Sequence, residues 1–248
     1  MLFGSNILFL HAPRTAGISI TQFLIDNIPE RLTLLAPSPV PDRSIPVPRI
    51  VRAKTTLKKL IQNLPGAARV KYMPGIRHER LTQAAQALSP FSRKLEDFDC
   101  IISVMRNPYD LEVSRYHFLR LGYHGVRGLS AGRAQDIAFK GDFVQFADSA
   151  PFFGRLPARI EDWYVLNGKM PENLCILRFE TLADDLLRVV GRLYRIKRGL
   201  PRLNATEHQN YRRYLTAETE TAIYRKFRWL FDSGFYKRQT VPTGARTE

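Results

Sequence analysis

Cysteine is scarce in this chain: two in 248 residues, Cys100 and Cys175, each inside an apolar run ("FDCIISV" and "NLCILRF"). That excludes a disulfide framework, and the two contexts read as reduced, small apolar residues of buried strands. Histidine is also sparse. The five, His11, His78, His117, His124 and His208, show no ligand-type spacing. No apolar run reaches ~18 residues, the rough minimum for a membrane-spanning helix. The opening "MLFGSNILFLHAP" lacks the basic region of a signal peptide. The expectation is a soluble protein of a reducing cytoplasm. Acidic side chains are the last shortage: 23 against 38 lysines and arginines, a formal net charge of +15. Such an excess does not choose a fold, but it suits a polyanionic partner or an anionic surface touched peripherally. The aromatic–basic interleaving of RNA-binding modules is missing, so nucleic acid is not the expected partner.

What is present is an α/β pattern. Hydrophobic residues make up 44%, and a chain of this length can bury a core of its own. Residues 7–11 read as a strand apolar on both faces, and a helix follows from Gly17 to about residue 28. Residues 31–49 are proline-rich and read as an extended surface segment. A basic helix is expected at 54–64, and "ERLTQAAQAL" is a short helix. Residues 98–105 form an apolar strand stopped by Asn107-Pro108, with Pro108 in the first turn of a helix to about 121. The stretch 122–133 is a glycine-rich loop. Helices are expected around 134–148 and 158–166, then a strand at 173–180 and helices at 181–195 and 216–230. Trp163 and Tyr164 should pack under the sheet. No repeat or composition break divides the chain, so 1–248 reads as a single domain. Strands alternating with helices give a three-layer α/β/α fold with a central parallel sheet.

Two strand-to-helix turns carry the chemistry. In "ILFLHAPRTAGISITQFL" (7–24) the usual phosphate loop, G-x-x-x-x-G-K-[ST], is altered: Gly17 and Ser19 are present, Ile18 stands where the lysine belongs, and the cation has moved back to Arg14. A helix N-terminus offers unbonded amides and partial positive charge. Gly17 permits close backbone approach, Thr15 and Ser19 bring hydroxyls, and Arg14 brings fixed charge, which together make an anion cradle. In "VMRNPYDLEVSRY" Arg106 ends a strand and Ser114 lies eight residues on, a guanidinium fork with a nearby hydroxyl. Two phosphate clamps at two strand ends imply a ligand with phosphates at two places.

"HAPRTAGIS" resembles the 5′-phosphosulfate loop of sulfotransferases, close to P-K-T-[AG]-G-T-S in the carbohydrate-type branch. "VMRNPYDLEVSRY" is similar to that family's 3′-phosphate element, and "ILRFETLADDL" and "LPRLNAT" look like later family segments in the expected order. The likeness runs roughly over 6–236 and implies a P-loop-NTPase-like sulfotransferase fold. It implies 3′-phosphoadenosine 5′-phosphosulfate as donor, adenosine 3′,5′-bisphosphate as product, and no obligatory metal. Arg14, Thr15, Ala16, Gly17, Ile18 and Ser19 would surround the phosphosulfate, Arg14 stabilising the leaving phosphate, while Arg106 and Ser114 would take the 3′-phosphate. Arg14 replaces the family lysine and Ile18 the commoner threonine.

Sulfuryl transfer to an alcohol needs a base for the hydroxyl proton. The best match to the carbohydrate branch is His78 in "GIRHERLTQAAQAL", with Glu79 in reserve; a helix-capping or surface histidine is the plain alternative. His11 reads as a strand-end residue shaping the pocket wall. The acceptor implied is a saccharide, glycolipid or related alcohol, and an anionic one would suit the basic run "RLYRIKRGLPR", whose plain alternative is a solvated face. Two rivals stay open at this point. A small-molecule kinase would want a lysine beside Ser19 and an acidic magnesium ligand. A non-catalytic polyanion binder with a degenerate donor pocket would show salt-sensitive binding without nucleotide.

Overall fold

The computed structural model describes residues 1–36, 67–76, 78–121, 132–153, 159–203 and 208–241. The basic helix expected at 54–64, His124 and most of the loop expected at 122–133 lie outside them. Strand β1 (Leu2–Phe3) is followed by β2 (Ile7–Phe9), α1 (Gly17–Asn27), β3 (Leu32–Ala36), β4 (Val70–Pro74) and α2 (Leu81–Leu88). Then come β5 (Cys100–Met105), α3 (Pro108–Arg120), α4 (Gly132–Lys140) and α5 (Phe143–Ser149). Last are β6 (Leu174–Arg178), α6 (Leu182–Val190), α7 (Ala217–Lys226) and α8 (Arg228–Asp232). The chain divides into two units, Met1–Met105 with Trp163–Asn204, and Arg106–Asp162 with Ala205–Glu248.

The first unit holds a six-stranded sheet in the order β4-β3-β1-β2-β5-β6. Strands β2, β5 and β6 pair in parallel, as do β3 and β4. The parallel sheet expected from sequence holds for these five; β1 is antiparallel to both its neighbours. The reason is local. The Gly4 amide bonds the Ile7 carbonyl (3.0 Å) in a tight return, and so short a connection joins only antiparallel strands.

Alternate strand residues feed two cores, as the pleat requires. Ile7, Phe9, Ile102, Val104 and Leu177 pack with α1 and α6; Leu8, Leu10 and Ile101 pack with α2 on the other face. This is the three-layer α/β arrangement, and coverage of both faces explains why β5 is apolar and buried throughout. Residues 32–36, expected in a surface segment, instead make the buried strand β3, because "LTLLA" is apolar and precedes the first proline of the run. Trp163 and Tyr164 are fully buried, the Tyr164 hydroxyl donating to the Val104 carbonyl (2.8 Å). Both cysteines are free thiols, Cys100 buried in β5 and Cys175 half-buried in β6.

The second unit is helical. Asn107 caps α3, its side chain accepting from the Tyr109 amide (3.0 Å), with Pro108 in the first turn. Glu112, fully buried on α3, is held by Arg115 and by Lys226 Nζ at 2.6 Å. The rings of Phe146 and Phe152 lie under Arg115. Such a buried carboxylate needs these partners, since its charge is costly without them. The helix expected over 134–148 is broken at Gly141 and Asp142, where Asp142 caps α5 through the Gln145 amide (2.9 Å). The helix expected at 158–166 is one 3-10 turn, Ile160–Trp163. Among the described residues no helix is long and apolar enough to cross a membrane.

Candidate active site

After β2 the chain turns through residues 10–16 into α1. Arg14 (φ 62°) and Ala16 (φ 60°) both lie in the left-handed region, which costs an L-residue roughly 1–2 kcal/mol. The Ile20 amide makes the first helical bond, to the Ala16 carbonyl (3.0 Å). The amides of Gly17, Ile18 and Ser19 therefore precede the ladder and carry the positive end of the helix dipole. Thr15 is buried and donates to the Ala12 carbonyl (2.8 Å). The Ser19 hydroxyl accepts from the Leu203 amide (3.0 Å) and donates to its carbonyl (3.3 Å). Both hydroxyls thus bond backbone and shape the loop. A Cβ on Gly17 would fall 1.7 Å from Nε2 of His11, so the space left by this glycine is filled by an imidazole.

His11 stacks on Phe9 (ring centroids 6.0 Å) and meets the ring of His78 at 4.4 Å. Nδ1 of His78 lies 2.9 Å from the His11 carbonyl. A carbonyl only accepts, so Nδ1 carries the hydrogen, and Nε2 is the atom of the neutral ring that can take a proton. Glu79 is buried and its Oε2 pairs with the Met1 ammonium at 2.6 Å.

In the second unit Arg106 stands at the head of α3, almost wholly buried. Its Nε bonds Asp110 (2.7 Å), its Nη1 bonds the Ser114 hydroxyl (3.1 Å), and its Nη2 lies 3.5 Å from Nε2 of His208. His117 stacks on His208 (5.9 Å, 18° between planes) and bonds the Tyr214 hydroxyl (2.8 Å). Burial holds the His117 imidazole below its ordinary pKa, and the neighbouring His208 and Arg120 add to that. Sequence reading found Arg106 and Ser114 but not Asp110 or His208. The i,i+4 spacing of Arg106 and Asp110 was an available signal; His208, far along the chain, left none.

The basic run is built on an apolar anchor. Tyr194, Ile196 and Leu200 pack against the core of the first unit, leaving Arg192, Arg195, Lys197, Arg198 and Arg202 exposed. Asn27, the last residue of α1, fastens the run through the Lys197 and Arg198 amides (2.6 and 2.9 Å), and Ser19 fastens Leu203. Arg198 lies 3.9 Å from the Asp26 carboxylate. Among the described residues no three His, Cys, Asp or Glu side chains converge as a metal site would need.

A family model described as a sulfotransferase domain matches residues 72–215, more than half of the chain. The chain belongs to the sulfotransferase family. It is a transferase, and its chemistry is sulfuryl transfer. The matched stretch takes in His78, Arg106, Ser114 and His208 and leaves out the loop at 14–19, so the reading of that loop rests on its own geometry. Neither a curated protein nor a solved structure matches this sulfotransferase.

Proposed function

We propose that the sulfotransferase takes the sulfuryl group from 3′-phosphoadenosine 5′-phosphosulfate and passes it to a hydroxyl of a saccharide, glycolipid or related acceptor, with the whole of 1–248 serving as the catalytic domain. The observation that carries this reading is the bond from His78 to the His11 carbonyl. It fixes a base-competent imidazole against the residue whose ring covers Gly17, within the unit that bears the loop.

The residues suit such a donor. Two left-handed residues followed by three amides ahead of the helical ladder make a concavity for an anion, with the Arg14 guanidinium as fixed charge. Arg14, Thr15, Ala16, Gly17, Ile18 and Ser19 would hold the 5′-phosphosulfate, chiefly through backbone. Arg106 and Ser114, bonded at 3.1 Å, would hold the 3′-phosphate. The bound donor supplies the sulfuryl group and adenosine 3′,5′-bisphosphate as leaving group. Arg14 balances the charge that develops on departure. His78 removes the acceptor's hydroxyl proton at Nε2, its ring held by the Nδ1 bond. The exposed cations of 192–202 support an anionic acceptor, since a row of positive charge raises its local concentration.

Thermal unfolding with adenosine 3′,5′-bisphosphate, ADP or ATP with magnesium tests the donor. A ligand at ~100 times its dissociation constant adds about 2.7 kcal/mol of stability. Selective stabilisation by the bisphosphate is the expected result. Stabilisation by ATP–magnesium alone would return the site to phosphoryl transfer, and no effect from any of the three would leave polyanion binding as the function.

A further inference from the structure

We propose that His208 is a binding residue of the 3′-phosphate clamp, donating from Nε2, and that this atom takes up a proton from solvent as the bisphosphate binds. The inference rests on the reading of Arg106 and Ser114 as that clamp. Its basis is the hydrogen inventory of one imidazole. Nδ1 of His208 lies 2.9 Å from the Gln209 carbonyl, and because a carbonyl cannot donate, Nδ1 must carry the hydrogen. Nε2 faces the Arg106 guanidinium at 3.5 Å, and a guanidinium offers only donors. Beside that group Nε2 is best accommodated with its lone pair exposed.

A phosphate gripped by the same Nη2 reverses the demand. The oxygens of the phosphate dianion only accept, so a neutral Nε2 set against them is repelled, whereas a protonated Nε2 gives a charge-assisted bond. Nδ1 keeps its bond to Gln209 in both states, and the ring need not turn.

The charged and titratable groups around the ring fit this role. Arg106 faces it from the head of α3 and His117 stacks on it from the middle of α3, with Arg120 adjoining His117 and Tyr214 on His117 Nε2. Asp110 holds Nε of Arg106, at the other end of the guanidinium. Glu207, next in sequence, lies outside the described residues. Among the described residues the charged groups facing the ring are basic, so a dianion between them relieves their mutual repulsion.

The test is titration calorimetry with adenosine 3′,5′-bisphosphate at about pH 6 and about pH 8, spanning the ordinary histidine range, in two buffers of different ionisation enthalpy. Wild type is compared with His208→Gln, His208→Ala and His117→Phe. The phosphate's own second ionisation, at ~6, is followed in each variant by the phosphorus-31 NMR shift of the bound ligand and subtracted. Expected are greater proton uptake by wild type than by either His208 variant, uptake kept by His117→Phe, and affinity for His208→Ala lower by roughly tenfold at the acid end. That deficit should shrink at the alkaline end. His208→Gln, which offers an amide donor without titrating, should recover part of the affinity and none of the uptake. Equal affinity and equal uptake in wild type and His208→Ala would overturn the proposal while leaving the clamp intact. Absence of bisphosphate binding by wild type would overturn the clamp itself, and this inference with it.

Discussion

Removing the Asn27 amide should loosen the basic run from α1. Asn27 is buried at the end of the helix, and its side chain makes four bonds. Nδ2 donates to the Phe23 carbonyl (2.8 Å) and the Arg198 carbonyl (2.9 Å); Oδ1 accepts from the amides of Lys197 (2.6 Å) and Arg198 (2.9 Å). A typical internal hydrogen bond contributes about 0.5–1.5 kcal/mol net. In Asn27→Ala the Phe23 carbonyl loses a second partner, and the three groups at 197 and 198 belong to exposed residues, so water restores part of the loss. The expected destabilisation is therefore about 2–3 kcal/mol rather than the full sum of four bonds. For a chain of this size that is a melting temperature lower by roughly 4–10 °C. Urea and thermal unfolding give the magnitude. Hydrogen exchange gives the location: the Lys197 and Arg198 amides should lose protection while the Leu203 amide, held by Ser19, keeps it. A melting point unmoved within about one degree, with unchanged exchange at 197 and 198, would refute the account of how this run is fixed.

Three further outcomes are expected. His78→Ala should lower kcat by about 10²–10⁴-fold and leave bisphosphate affinity near wild type, whereas Arg106→Ala should weaken the bisphosphate; calorimetry beside turnover assays separates the two, and similar affinity losses in both would sink the assignments. The neighbouring Cys100 thiol holds the Cys175 thiol below its ordinary pKa, while Cys100 itself is pushed up by Cys175 and by burial. Mass-mapped alkylation near neutral pH should mark Cys175 first and Cys100 slowly, and Cys100→Ala should slow Cys175. His117 has a folded pKa below its unfolded value of about 6.5, so the unfolded chain binds the extra proton in between. Its contribution is present above that unfolded value and is lost as pH falls through the folded one. Urea midpoints of wild type should decline on acidification more steeply than those of His117→Phe, and parallel curves would contradict this.

The parts of the fold legible in the sequence are those whose cause is local. Strands β2, β5 and β6 announce themselves as apolar runs, α1 begins at its glycine, and α3 begins where Asn107 and Pro108 cap it. Strand β1 is two residues long and has no periodicity to read. Strand β3 went unread because it abuts the prolines and takes its pairing from Met1–Phe3 and from β4, distant in the chain. The site divides in the same way. Arg106 stands just before the helix that carries Ser114, at a fixed spacing of eight residues, so their bond could be foreseen. The His78 bond to a backbone carbonyl 67 residues away could not, because any residue supplies a carbonyl. Nor could the ring over Gly17, since the glycine advertises space without saying what fills it.

The short first strand has a mechanical consequence. Strands β3 and β4 share five paired positions, as do β5 and β6, yet β1 shares only two with each neighbour. The sheet is thus two plates joined at a narrow waist of two paired positions on either side. The loop at 14–19 follows from one plate through β2, and His78 follows from the other through β4. The bond from His78 to the His11 carbonyl spans that waist like a latch. Any relative movement of the two plates would change the distance between His78 and the loop at 14–19, so a strand of two residues stands between the two parts of the proposed site.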